Sequence, residues 1–268
     1  MKFLPQFFIT LLIFSTLGCS QSDNKKPVKI ESTDVNTAIK AVTLPTATPN
    51  FAEFKDVKQK KKAFFDYIFA YVVLANIDIK AERDFIQSID FSDTSLNAKD
   101  KKQLTSICKK YSNSCANVFR DDLKEELLNE VNFIPAALAL AQSANESSWG
   151  TSRFSTQGNN YFGQWCYQKG CGLVPNSRNT GANHEVRSFD SALQSVQAYM
   201  FNINTHNAYS ELREIREGLS PVELDGNKLA MGLIRYSERG EEYIKEIKSM
   251  IRINDLTSYD KQLAVLLK

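Results

Sequence analysis

Glu146 is distinguished from the other carboxylates of this 268-residue chain by the residues around it. It ends a stretch rich in Ala and Leu that follows Pro135, and a Ser-Ser-Trp-Gly sequence comes directly after it. Proline suits the first turn of a helix and Gly150 suits its end, so the spacing predicts a helix with Glu146 near its C-terminus. The negative end of the helix dipole and a nearby Trp149 both disfavour ionisation, which raises the pKa of the carboxyl. A carboxyl that keeps its proton is a general acid.

The loop that follows this helix combines amide side chains with aromatic rings between Gly158 and Trp165. Sugars present hydroxyl groups that bond amides and apolar C–H faces that stack on rings. The composition therefore favours carbohydrate recognition, with core packing as the alternative for the first two aromatic residues of the loop. We predict substrate contacts from Asn160, Tyr161, Phe162, Gln164 and Trp165.

A longer stretch around these residues resembles a known family signature. From Ala139 to Gly172 it reads ALAQSANESSWGTSRFSTQGNNYFGQWCYQKGCG. This is similar to the glucosaminidase family (glycoside hydrolase family 73), which hydrolyses peptidoglycan, and within it to the Bax-like, FlgJ-related branch. Four further pieces also resemble that branch: KKAFFDYIF, FDSALQSVQAY, NTHNAY and YSERG. The resemblance extends from about Phe54 to Leu256.

The resemblance implies a mainly α fold of the α+β, lysozyme-like type. In it, two helical lobes and a small hairpin or irregular lobe enclose a substrate groove. The glutamate of the ESxWG motif protonates the glycosidic oxygen, and Glu146 occupies that position. The family's second carboxylate, in a hairpin, corresponds to Glu185, with a solvated hairpin glutamate as the alternative. Its site tyrosine, which positions the substrate, corresponds to Tyr236, with a core-capping tyrosine as the alternative.

The function that these features predict is endo-β-N-acetylglucosaminidase cleavage of peptidoglycan glycan strands. Inverting, retaining and substrate-assisted routes all remain open, because the 2-acetamido group of the substrate can replace a second carboxylate. A muramidase, a lytic transglycosylase and a noncatalytic peptidoglycan-binding scaffold are the alternatives. We expect no cofactor and no metal ion, and the sequence does not identify which proteins, if any, are partners. Because 33 basic and 31 acidic residues are interspersed, the net charge of +2 gives no support for nucleic-acid binding.

The N-terminus has the pattern of a targeting segment. An apolar run after Lys2 is too short to span a bilayer comfortably, so residues 1–18 are predicted to be a signal peptide. The sequence STLGCS resembles a lipobox with Cys19 as the lipidated residue, although Thr16 replaces the usual leucine. Residues 19–50, poor in aromatics, then form a lipidated start and a flexible tether. We expect an exported, periplasmic protein held at the outer membrane by this lipid anchor, with plain secretion or an uncleaved anchor as the alternatives.

The rest of the chain divides into three predicted parts. Residues 51–130 form a helical supporting lobe, residues 131–256 form the catalytic domain, and residues 257–268 form a C-terminal tail. Apolar spacing and helix propensity predict helices over Lys55 to Asn76 and Arg120 to Asn129. Two more helices are predicted, one from Asp190 or Ser191 and one from Glu241 to Met250.

The remaining cysteines fall into two close pairs, Cys108 with Cys115 and Cys166 with Cys171. In an exported chain such pairs favour two local disulfides, and their spacing fits no standard zinc pattern. Free buried thiols are the alternative. Residues seven apart on one helix lie about 10 Å apart, beyond disulfide reach, so the chain must turn at Ser112 to Ser114.

Overall fold

The computed structural model describes residues 44–92, 95–111, 115, 118, 122–179 and 181–268. Helices dominate these residues, and a small antiparallel sheet lies among them. The mainly α fold class predicted from the sequence is therefore confirmed. The predicted signal peptide, Cys19 and most of the predicted tether lie outside the described residues. Among the residues that are described, none of the helices has the length and apolar character to cross a membrane.

Helix α1 spans Val57–Ser88 and extends twelve residues beyond the predicted end at Asn76. Asp56 caps its N-terminus by accepting a hydrogen bond from the amide of Gln59 at 2.8 Å. The extension is stabilised by burial of Ile77, Ile79 and Ile86, which the helical spacing brings into the core. Two short helices follow, α2 over Ala98–Tyr111 and α3 over Leu123–Glu130.

Helix α4, Ala136–Glu146, is the centre of the fold. Every residue from Ala136 to Ala144 is buried, as expected for a helix whose small apolar side chains let neighbours approach on all sides. The predicted helix is thus confirmed, with Pro135 at the N-cap, one position before the helix begins. Glu146 is therefore the last residue of a buried helix and lies close to the interior of the molecule.

The helices after α4 complete the fold. Ser191 caps helix α6 through a hydrogen bond to the amide of Gln194, as its position in the sequence predicted. The later helices are α5 Arg153–Gly158, α6 Ala192–Thr205, α7 Ser210–Arg216, α8 Gly226–Leu229, α9 Glu241–Ile253 and α10 Thr257–Leu266, with 3-10 turns at Asn207–Tyr209 and Ala230–Leu233.

Three short strands form the sheet in the order β1, β3, β2: Trp165–Cys166, Glu185–Arg187 and Gly172–Leu173. Both neighbours of the central strand β3 are antiparallel to it, and Val186 faces both Trp165 and Leu173. This sheet is the small lobe that the sequence predicted as a hairpin or irregular segment.

The predicted supporting lobe and catalytic region share one hydrophobic core. Helix α1 packs on α4 and α6, and α10 packs on α4. In α10, Asp260 accepts hydrogen bonds from the amides of Ala137 at 2.7 Å and Gly226 at 3.3 Å. The segment 257–268, described as a tail on sequence grounds, is therefore folded against the start of α4.

Both predicted disulfides are present. The Cα atoms are 5.8 Å apart for Cys108 and Cys115, and 6.2 Å apart for Cys166 and Cys171. Helix α2 ends at Tyr111, between the two cysteines of the first pair. It must end there because cysteines seven residues apart on one continuous helix would be too far apart to bond. The predicted turn residues Ser112 to Ser114 lie outside the described residues.

Candidate active site

The carboxyl group of Glu146 lies half-buried at the end of α4. Its Oε1 atom accepts a hydrogen bond from the hydroxyl of Tyr243 at 2.9 Å and one from Nδ2 of Asn145 at 3.4 Å. Its Oε2 atom faces Gly163, where an added Cβ would stand 3.7 Å away. Burial raises the pKa of Glu146, and the two hydrogen bonds oppose that rise without cancelling it. The carboxyl of Glu146 therefore keeps its proton to a higher pH than a solvated glutamate does.

A set of tyrosines surrounds this carboxyl. For each of them, burial raises the pKa of the hydroxyl and the negative charge of Glu146 adds to the rise. They are Tyr199, Tyr209, Tyr236 and Tyr243. Tyr243 contacts the carboxyl directly, Tyr236 stacks on Tyr243, and the Tyr209 ring lies 6.0 Å from that of Tyr236. The carboxyl is thus embedded among rings whose hydroxyl groups stay neutral and can donate hydrogen bonds.

Tyr243, the direct partner of Glu146, was missed by the sequence prediction, which selected Tyr236 instead. The two tyrosine rings stack at 5.3 Å with an interplanar angle of 12°. The hydroxyl of Tyr236 donates to the carbonyl of Phe162 at 3.2 Å, so this side chain holds the loop beside the carboxyl. A usable signal was Gln142, a polar residue that lies one turn before Glu146 and directly follows the apolar run from Ala136 to Ala141. A buried amide in that position needs hydrogen-bond partners.

The chain reverses immediately after Glu146 in a left-handed turn. Ser148, Trp149 and Gly150 all have positive φ angles, of 53°, 60° and 74°. Ser147 stabilises the turn, because its hydroxyl donates to the Ser143 carbonyl at 2.6 Å and accepts from the Gly150 amide at 2.9 Å. The ESSWG motif thus encodes a strained turn that sets where the carboxyl lies.

The ring of Trp149 packs on helix α1. It makes edge contacts with Phe64 at 5.9 Å and Phe65 at 5.2 Å, and Lys61 Nζ lies 4.8 Å from its centre. The sequence suggested that Trp149 keeps water from Glu146. The structure places it instead as an anchor between the turn and α1, and the tyrosines surround the carboxyl.

Three of the five predicted substrate contacts belong to the interior. The amide of Asn160 donates to the carbonyls of Gln164 and Arg187 and accepts from two backbone amides, so its hydrogen-bonding capacity is used. Tyr161 is 1% exposed, and Phe162 is 3% exposed and stacked on Tyr199 at 4.0 Å. The structure therefore favours the alternative of core packing for Tyr161 and Phe162, and it gives Asn160 a part in holding the loop.

Gln164 and Trp165 remain candidates for substrate contact, since both are half-buried at the end of the loop. The Trp165 ring stacks on His184 at 4.0 Å with an angle of 11°. The Oε1 atom of Gln164 is buried and accepts no hydrogen bond from any residue that the structure describes. It is therefore an acceptor without a partner among the described residues, and a sugar hydroxyl would reach it only if the Gln164 side chain moved.

Glu185, the predicted second carboxylate, lies at the start of the central strand β3 and is buried. Its carboxylate accepts hydrogen bonds from the amides of Gly170 at 3.0 Å and Gly172 at 2.8 Å. These hydrogen bonds lower the pKa of Glu185, and the one from Gly170 has the largest effect. The Cys166–Cys171 disulfide closes the same loop, and both sulfurs lie within 4.8 Å of the carboxylate. Because the sulfurs are bonded to each other, this group is not a thiolate metal site.

We expect the Glu185→Gln variant to lose thermal stability and to keep more activity than Glu146→Gln. An amide is uncharged and has one acceptor oxygen in place of two, so both backbone amides lose a charged partner and one of them loses its acceptor altogether. The melting temperature and the initial rate on purified peptidoglycan, measured side by side, check this expectation. A rate as low as that of Glu146→Gln with an unchanged melting temperature would assign Glu185 to catalysis instead.

Fold and site together define a class of enzyme. A half-buried, desolvated carboxyl at a helix end, beside a loop of amides and aromatic rings, is a group of the kind that glycoside hydrolases use. The Glucosaminidase family model, described as mannosyl-glycoprotein endo-beta-N-acetylglucosaminidase, matches residues 122–256, half of the chain. The chain belongs to this family and is a glycoside hydrolase, which confirms the resemblance seen in the motif.

Two further comparisons relate the chain to characterised proteins. It is 29% identical over 211 residues to "Protein bax" of Escherichia coli (strain K12), covering 78% of this chain and 75% of that protein. The crystal structure of the catalytic domain of the autolysin Auto from Listeria monocytogenes superposes with a TM-score of 0.38 at 18% identity. That match covers 87% of this chain and 99% of the domain.

Proposed function

We propose that this protein is an endo-β-N-acetylglucosaminidase that cleaves the glycan strands of peptidoglycan, with Glu146 as its general acid. The observation that carries the proposal is the carboxyl itself. One oxygen of Glu146 is held by Tyr243, and the other faces the Gly163 loop. Family membership supports the bond type, and the motif resemblance together with the predicted export supports peptidoglycan as the polymer.

The chemistry requires one proton transfer to the leaving group. Protonated Glu146 donates to the glycosidic oxygen as the bond from that oxygen to the anomeric carbon breaks, and the departing sugar keeps the proton as a hydroxyl. The resulting carboxylate can then accept a proton from the water that completes hydrolysis. In this way one side chain serves both half-reactions.

The attacking group is best supplied by the substrate. Glu185 is tied to two backbone amides, and activating water would require its release from both. The 2-acetamido oxygen of the substrate can attack the anomeric carbon without a second protein carboxylate. We therefore favour the substrate-assisted route, in which Tyr243 holds the carboxyl of Glu146 and Tyr236 holds the loop beside it.

End-group analysis of the products tests the proposed bond. We expect purified peptidoglycan, digested by the protein and reduced with borohydride, to yield reduced N-acetylglucosamine ends in mass spectra. Reduced muramic ends would indicate a muramidase, and 1,6-anhydro-muramic ends a lytic transglycosylase; either result would overturn the bond assignment. Binding to peptidoglycan with no new ends from a folded sample would support the noncatalytic scaffold.

A further inference from the structure

A continuous chain of hydrogen bonds leads from the interior to the carboxyl of Glu146. The hydroxyl of Tyr199 lies 2.6 Å from Oε1 of Gln142, and Nε2 of Gln142 lies 3.0 Å from the hydroxyl of Tyr243. Tyr243 in turn lies 2.9 Å from Oε1 of Glu146. The first three side chains are at most 2% exposed, so water has little access to these bonds.

The donor and acceptor of every hydrogen bond in this chain follow from Tyr199, the end that is farthest from Glu146. A tyrosine hydroxyl has one proton, and among the described residues the hydrogen bond of the Tyr199 hydroxyl is the one to Gln142. Reversing the Gln142 amide would place a donor there and leave the buried Tyr199 proton without an acceptor, an arrangement that folded proteins avoid. Oε1 of Gln142 therefore faces Tyr199, and Nε2 faces Tyr243.

This direction constrains the carboxyl. Because the Tyr243 oxygen accepts from Gln142, its single proton is available for Oε1 of Glu146. Oε1 is then an acceptor in both protonation states of Glu146, so the carboxyl proton belongs on Oε2. That oxygen is the one that faces Gly163 and the loop after α5.

We propose that Tyr199, Gln142 and Tyr243 form a positioning relay that fixes the acidic proton of Glu146 on Oε2, where it can reach a substrate. The use of this proton in catalysis rests on the proposed function, whereas the position of the proton does not. Other groups also act on the same carboxyl, and the variants below leave all of them in place. They are Asn145, Tyr209, Tyr236, Arg239 and Glu246.

Infrared difference spectra, wild type minus Glu146→Gln at low pH, read the proton position directly. A protonated carboxyl whose C=O oxygen accepts a hydrogen bond absorbs at lower wavenumber than one without that bond. We expect one lowered band in the wild type and a higher band in Tyr243→Phe. In Gln142→Met and Tyr199→Phe, where the direction of the chain is no longer fixed, we expect a second band. Wild-type bands in both of these variants would overturn the relay.

Kinetics give an independent readout. Losing Gln142 weakens the hydrogen bond from Tyr243 that stabilises ionised Glu146, so the pKa of Glu146 rises. The alkaline limb of the kcat–pH profile then shifts to higher pH. We expect a fall of about 3- to 10-fold in kcat for Gln142→Met with KM unchanged, and a larger pH shift for Tyr243→Phe. A fall in kcat with an unmoved pH limb would mean a structural role and contradict the relay.

The matched control is Tyr111→Phe, which removes another buried hydroxyl hydrogen bond, 2.6 Å from Glu82. We expect it to lower stability at least as much as Tyr199→Phe, because its partner is a charged carboxylate, without moving the infrared band or the pH limb. The relay and the proposed function can be disproved independently of each other. If Glu146→Gln retains activity while the infrared band pattern is as expected, the proposed function is wrong and the relay stands.

Discussion

Replacing Glu146 by glutamine is expected to lower kcat on peptidoglycan by about 10²- to 10⁴-fold, the contribution typical of a positioned general acid. Glutamine keeps the shape of the side chain and an oxygen that can accept the Tyr243 hydrogen bond, so the site geometry is retained. What is lost is the proton for the leaving group. Turnover of purified peptidoglycan, with product ends counted by mass spectrometry, measures the loss.

The same substitution should raise stability at neutral pH. Burial raises the folded-state pKa of Glu146, so the stability that the protonated form provides is present below the unfolded pKa and lost as pH rises through the folded pKa. A neutral glutamine does not titrate and avoids that loss. Lower activity with a higher melting temperature near pH 7 is therefore the expected signature of an acid held in a desolvated site.

Glu130→Gln is the matched control for this prediction. Burial also raises the pKa of Glu130, to about 7, but this residue ends helix α3 and precedes the start of α4, at the opposite end of that helix from Glu146. We expect Glu130→Gln to keep wild-type activity. If Glu146→Gln kept more than about a tenth of wild-type kcat, the loss would be smaller than removal of a general acid causes, and the assigned role would be excluded.

Substituting alanine for Gly150 is expected to destabilise the protein by about 2–5 kcal/mol. The φ angle of 74° costs an L-residue about 1–2 kcal/mol, and an added Cβ would stand only 2.4 Å from Cδ2 of Phe51, adding about 1–3 kcal/mol of overpacking. Because Gly150 ends the turn that follows Glu146, relief of the clash should also displace the carboxyl and lower kcat. Denaturant unfolding and the peptidoglycan assay measure the two effects.

Gly218→Ala separates the two causes. Its φ of 73° is nearly the same. Among the described residues, its two chain neighbours excepted, none has an atom within 4 Å of an added Cβ, so this variant should carry the backbone cost alone. In the double variant with Phe51→Ala, the combined loss should be smaller than the sum of the single losses, because the clash is gone. Equal losses in the two glycine variants, or strict additivity with Phe51→Ala, would contradict the proposed contact.

The contact between Phe51 and Gly150 has a consequence for the predicted tether. Just before Phe51, Thr48 hydrogen-bonds the hydroxyl of Tyr67 at 2.7 Å. The last residues of the predicted flexible segment therefore pack against the domain, and Phe51 touches the turn that positions Glu146. These residues lie well upstream of the family match, which starts at residue 122.

Local features of the site could be read from the sequence alone. The Ala- and Leu-rich run placed Glu146 at a helix end, Ser191 marked the start of α6, and each cysteine pair closes a short loop. Each of these depends on residues only a few positions apart, whose spacing determines turns and caps directly. The motif around Glu146 also identified the family, because its residues are contiguous.

Only the tertiary structure decided which side chains meet the carboxyl. Tyr243 lies 97 residues after Glu146, Gln142 meets Tyr243 across 101 residues, and Tyr199 meets Gln142 across 57. Whether an amide such as Asn160 faces a sugar or the backbone is likewise settled by packing, since both uses need the same residue type. Spacing along the chain determines local geometry, whereas hydrogen-bond direction and desolvation depend on helices brought together from distant parts of the sequence.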